Sequence, residues 1–174
     1  MTFQFNNLNE VIRELMLKEV DLDVNNGALY LSSRLSLTGT HEYPKLLTDA
    51  IKNGNTETLA NSLRNQLNIT EERRRNGKVI TAKVPITAAA TLAEGEFNRF
   101  FIRAICRFSI DNGNNAVKIY RAKQVETPRP ESDGKIGSII NAQILLNDLR
   151  NNQGVDSALG IPPGPNSGLS VEFV

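Results

Sequence analysis

Three arginines, Arg99, Arg103 and Arg107, stand four residues apart in EFNRFFIRAICRFSI, residues 96–110. A guanidinium keeps its charge at any physiological pH and offers a planar fork of N–H donors. Such a ladder can grip phosphates, pair with carboxylates of a partner protein, or form the charged edge of a buried helix. On a helix, Phe97, Phe100, Phe101, Ala104, Ile105 and Phe108 share one broad apolar face, and Ile102, Cys106 and Ile110 add a second strip beside the arginines. Solvent would then touch only a narrow face, along which the arginines lie. Glu96 can pair with Arg99, and Asp111 with Arg107, at helical spacing, whereas Arg103 has no such local partner. The three readings stay open at this point.

A second basic group lies in ERRRNGK, where Arg73, Arg74, Arg75 and Lys78 flank Asn76–Gly77. A hairpin tip reaching a nucleic-acid backbone would look like this. So would an arm reaching a neighbouring subunit, or an edge strand guarded by charge against aggregation. Glu71 and Glu72 dilute the patch. The third segment of interest is GIPPGPNSG, in which Pro162, Pro163, Pro165 and Asn166 make a partner-binding or simply ordered loop, since prolines remove backbone donors.

Other reactive residues are sparse. The chain has one histidine, His41, expected between helices, and one cysteine, Cys106, expected as a small buried hydrophobe. They suggest no nucleophile–base pair and no zinc set. The carboxylates Glu94, Glu96, Asp111, Glu131, Asp133 and Asp148 could serve a metal-dependent nuclease, but no spacing singles out a set, and scattered acids ordinarily serve solubility. The usual glycine-rich phosphate loops are absent. No catalytic, cofactor-binding or metal-ligating residue is therefore indicated.

The 174 residues carry 20 basic and 19 acidic side chains, a net charge of +1, so nucleic-acid binding would need a local patch. A single cysteine excludes an internal disulfide and fits a reducing compartment. The start, MTFQFNNLNEV, lacks the basic and apolar regions of a signal peptide, and no apolar run is long enough to span a membrane. Synthesis and retention in a cytoplasm are expected.

These residues need elements to hold them. Asn7 followed by LNEVIRELMLKEV predicts a helix with Glu10 completing a capping box. ALYLSSRLSLTG, 28–39, has leucines spaced by twos or fours and is read as helix. Pro44 is expected in the first turn of a third helix, and Asn55 or Thr56 caps a fourth. Residues 69–84 read as a hairpin around Asn76–Gly77, because a type I′ turn needs positive φ at both central positions. Thr87 opens a long helix ending at Asn112–Gly113, with a break or kink plausible at Gly95. AVKIYRA, GSIIN and LSVEFV predict strands, 123–135 a loop, and Asn141 caps a last helix. The expected fold is α+β in a single domain, 1–174. A helical half, 1–67, packs on a small antiparallel or mixed sheet from 69–84, 116–121 and 169–173, with a long central helix.

LAEGEFNRFFIRAICR, KIYRAK, PRPES, LLNDLR and LGIPPGPNSGLSV together resemble a family of small proteins carried by tailed bacteriophages and prophages, over roughly residues 76–174. The resemblance implies a virion or head-assembly setting and assigns no residue a catalytic role. The resulting expectation is a non-enzymatic structural protein of a phage virion, a head-associated decoration, cement or connector component made in the host cytoplasm. Its partners would be other virion proteins or copies of itself, with no membrane and no cofactor. The alternatives are a nucleic-acid-binding accessory protein and, less favoured, the metal-dependent nuclease.

Overall fold

The computed structural model describes residues 2–153 and 167–174. The first helix, α1 (Glu10–Asn25), starts where the Asn9 side chain accepts a hydrogen bond from Ile12 N. The cap lies two residues beyond the expected Asn7, which turns with φ +68 ahead of the helix and so cannot close a capping box. Residues 28–36 are not helical, correcting the expectation for 28–39. Ser36 caps α2 (Leu37–Asn53) through Gly39 N, and that cap ends any helix arriving from the N-terminal side. The stretch turns at 33–34 instead, and residues 34–36 pair with 66–68, with Leu35 bridged to Leu67. The approach is close: a Cβ on Gly39 would sit 2.1 Å from the Gln66 carbonyl oxygen.

Pro44 lies inside α2 and not in the first turn of a separate helix. The helix runs through it although a proline supplies no N–H. His41 is correspondingly an exposed residue of α2, not an inter-helix residue. Asn55 caps α3 (Thr56–Leu63), accepting from Glu57 N and Thr58 N, and a 3-10 turn over Arg64–Gln66 follows.

Strands β1 (Thr70–Arg75) and β2 (Lys78–Lys83) form the hairpin, with Arg75 opposite Lys78 and φ of +50 and +76 at Asn76 and Gly77. They make a sheet of their own. The second sheet is antiparallel and joins β3 (Ala116–Arg121) to β4 (Ile139–Asn141) on one side and β5 (Leu169–Phe173) on the other. The single small sheet expected from these segments is thus two. Val117, Ile119, Leu169 and Val171 give β3 and β5 a buried apolar face, whereas TEERRR in β1 has none to offer a core.

The long helix α4 (Ala88–Asp111) is continuous through Gly95. Phe97, Phe100, Phe101, Ala104 and Ile105 are fully buried, each phenylalanine contributing about 1.5–3 kcal/mol through loss of apolar surface to water. Phe108 is half-buried against Phe173, and the Phe5 ring lies 4.8 Å from that of Phe101. A short helix, α5 (Pro130–Asp133), interrupts the expected loop, and α6 (Ala142–Asn151) starts at an Asn141 cap. One apolar cluster runs from Ile12 on α1 to Val171 on β5, with α4 packed against α1, α3, α6, β3 and β5. The architecture is α+β, with a helical N-terminal half and α4 at its centre. No helix among the described residues is long and apolar enough to cross a membrane.

Candidate functional site

The inward stripe of α1 begins with Ile12, Leu15, Met16 and Val20 and then turns acidic, since Glu19 and Asp23 occupy the same face. That face meets the arginine ladder of α4. Arg103 Nε lies 2.8 Å from Glu19 Oε2, and its two terminal nitrogens lie 2.6 and 2.9 Å from the Asp23 carboxylate oxygens. The Arg103 guanidinium also sits 4.9 Å above the Phe100 ring, a cation–π contact. Arg107 Nη1 reaches Glu19 Oε1 at 3.2 Å. From α6, Arg150 brings Nη2 to Glu19 Oε1 at 2.6 Å and Nε to Oε2 at 3.0 Å. One carboxylate is therefore shared by three arginines on two helices.

This arrangement revises the narrow wet face. Arg103 has no exposed surface and Arg99 is buried, so neither can meet an outside partner or a phosphate; Arg107 alone of the three keeps a third of its side chain exposed. Asp111, expected to pair with Arg107, is replaced in that role by Glu19. The expected Glu96–Arg99 pair does form, with Arg99 Nε 3.2 Å from Glu96 Oε1, and Arg99 Nη1 also donates to the Asn152 carbonyl. Glu19, Asp23 and Arg150 were not identified from sequence. Two acids four apart, continuing an apolar helical stripe, were the available signal.

Electrostatics follow from burial and pairing. Burial alone would raise the Glu19 carboxyl, but hydrogen bonds and charge from Arg150 and Arg103 outweigh it and hold the group below its ordinary range. Burial would lower Arg103, yet Asp23 and Glu19 keep it firmly protonated. Glu96 is different. Full burial pushes its carboxyl up to about 7, with Arg99 offsetting only part and the Asp23 charge adding to the rise. Among the described residues its Oε2 has no hydrogen-bond partner, and the buried Tyr43 hydroxyl also lacks one. Burial pushes the Cys106 thiol up to about 12, with the Glu19 charge adding to it, so this cysteine is a poor nucleophile.

The remaining acids do not converge. Glu94 pairs with Lys123 and Asp133 with Arg121, and no group of three or more metal-ligating side chains forms among the described residues.

The hairpin is the other site. Arg73, Arg74 and Arg75 on β1 and Lys78 on β2 are all exposed. Glu71 ties the arm to the body, accepting from Arg34 Nε at 2.6 Å and from Arg73 Nε at 2.6 Å, and these bonds lower its pKa. Both faces of the hairpin lie open, with Val79 and Ile80 exposed. At its base Ile69 and Ile86 are 84% and 99% exposed and border a groove of about 470 Å³ with Leu67, Val84 and Pro85. The structure thus separates the basic groups the sequence drew attention to: one is an internal clasp, the other a free arm. Pro162, Pro163, Pro165 and Asn166 lie outside the described residues. In comparisons with protein-family models, curated proteins and solved structures, none matches this chain.

Proposed function

We propose that this chain is a non-enzymatic structural protein of a bacteriophage particle, a head-associated decoration, cement or connector component that docks on its neighbours through the β1–β2 arm. The observation that carries the reading is the arm itself. A two-stranded hairpin is at best marginally stable in water, and among the described residues this one has neither face packed on the body. Exposed Val79, Ile80, Ile69 and Ile86 along it and at its base are the kind of apolar surface that a neighbour covers. The buried arginine clasp serves the body that presents the arm. The resemblance of residues 76–174 to small proteins of tailed phages supports the setting. Mass spectrometry of purified particles is the test. A fixed, symmetric copy number is expected, reduced when residues 70–83 are replaced by a short glycine linker. Purified particles that do not contain the chain would defeat the reading.

A second reading rests on the same arm. Exposed Arg73, Arg74, Arg75 and Lys78 suit a nucleic-acid backbone. It predicts duplex or single-strand binding that weakens steeply with salt and fails when Arg73, Arg74 and Arg75 become alanine. Glu71 and Glu72 in the same strand weigh against it.

A further inference from the structure

The order of charges along β1 is Glu71, Glu72, Arg73, Arg74, Arg75. Inside the hairpin these charges have no cross-strand partners: Glu71 faces Ala82, Glu72 faces Thr81, Arg73 faces Ile80 and Arg74 faces Val79. Glu71 pairs with Arg73 and with Arg34 of the body, but Glu72, Arg74 and Arg75 make no ion pair among the described residues. Among the described residues the other edge of β1 is open, because the sheet there contains only β1 and β2. Among the described residues the body reaches this strand near its root, where Asn68 N donates to Arg34 O and the Arg34 side chain pairs with Glu71.

Arg75 and Lys78 flank a two-residue turn, so their backbone groups point at each other. Alternation then leaves the N–H and C=O groups of Glu72 and Arg74 on the open edge. An exposed edge of this kind accepts a further strand. In the order acid, acid, base, base, base, an antiparallel copy can set acids opposite bases.

We propose that the open edge of β1 pairs antiparallel with β1 of a second copy about a two-fold axis through Arg73, giving a four-stranded sheet β2–β1–β1–β2. In this register Glu72 lies opposite Arg74 of the second copy and Glu71 opposite Arg75, each twice by symmetry. Four opposite-charge pairs stand against a single like pair, Arg73 with its own copy, and each Arg73 already bonds to its own Glu71. Sliding the axis to Glu72 places two acids face to face and leaves half as many opposite pairs. Sliding it to Arg74 places Arg73 opposite Arg75. Charge thus selects one register where apolar patterning would not. The inference rests on the reading of the hairpin as a docking arm and names a second copy of the chain as what it docks on.

Sedimentation of the purified full chain tests it. The wild type is expected to form a dimer that weakens at high salt. Glu72→Arg and Arg74→Glu each turn two opposite pairs into like pairs, and each is expected to dimerise about tenfold or more weakly. Mixed together, the two variants regain every opposite-charge pair and re-form a dimer, and the double variant Glu72→Arg/Arg74→Glu dimerises with itself. A general loss of folding cannot produce that rescue on mixing. A wild type that stays monomeric up to about 100 µM, single variants that dimerise like the wild type, or a mixture that stays monomeric would each overturn the proposal. Particle incorporation by a chain that never pairs with itself would sink this pairing and leave the assembly reading standing.

Discussion

Arg103 and Glu19 are 84 positions apart in the chain and meet at 2.8 Å with no solvent-exposed surface on either side chain. The pair joins α1 to the centre of α4, and Asp23 completes the arginine's coordination. Charges this deep are costly to desolvate, so what holds them is complete pairing and not the strength of any one contact.

Breaking the cluster on one side is therefore expected to be severe. Arg103→Met strands the buried Asp23 carboxylate and takes one of three arginines from Glu19, and should lose about 3–5 kcal/mol of unfolding free energy in urea titration. The triple variant Arg103→Met/Glu19→Leu/Asp23→Leu removes the buried charges together and should lose much less, because Arg107 and Arg150 are each about a third exposed and can turn to water. A triple variant as unstable as the single one would show that the ion pairs stabilise the fold outright.

Two buried acids give opposite pH dependences. The folded Glu19 carboxyl lies below its unfolded value of 4.5, so its contribution is present above that pH and is lost as pH falls through the folded value. The folded Glu96 carboxyl lies above 4.5, at about 7, so the folded chain binds its proton more tightly. Its contribution is full below pH 4.5 and falls as pH rises to about 7, by about 3 kcal/mol. Glu96→Gln should remove that decline. Denaturation at several pH values between 4.5 and 8 checks this, and parallel curves for variant and wild type would refute it.

The hairpin should unfold by itself. Gly77→Val forces a β-branched residue to φ +76 and should melt the arm while changing global stability by less than about 1 kcal/mol. Hydrogen exchange of the amides in 70–83, set against those of α4, reads both quantities at once.

Cys106 reports on opening of the core. Its thiol is buried and pushed up to about 12, so a thiol reagent should modify the native chain only through transient unfolding. Arg103→Met should speed modification by more than about a hundredfold, matching its loss of stability.

What sequence alone determined was local. Asn55 and Asn141 cap helices because an Asn side chain reaches backbone N–H groups two or three residues on. Asn76–Gly77 makes a hairpin because both residues tolerate positive φ. The phenylalanine spacing of α4 declares a core helix because a helix repeats on one face. Tertiary structure decided what depends on residues distant in the chain. Residues 28–36 leave the helix, and 34–36 pair with 66–68, which offer backbone partners that the leucine spacing could not announce. The hairpin stands apart from the β3–β5 sheet because it has no apolar face to bury. The arginine ladder points inward because α1 carries Glu19 and Asp23 across from it. Helical spacing states which residues share a face, but only packing states what that face meets.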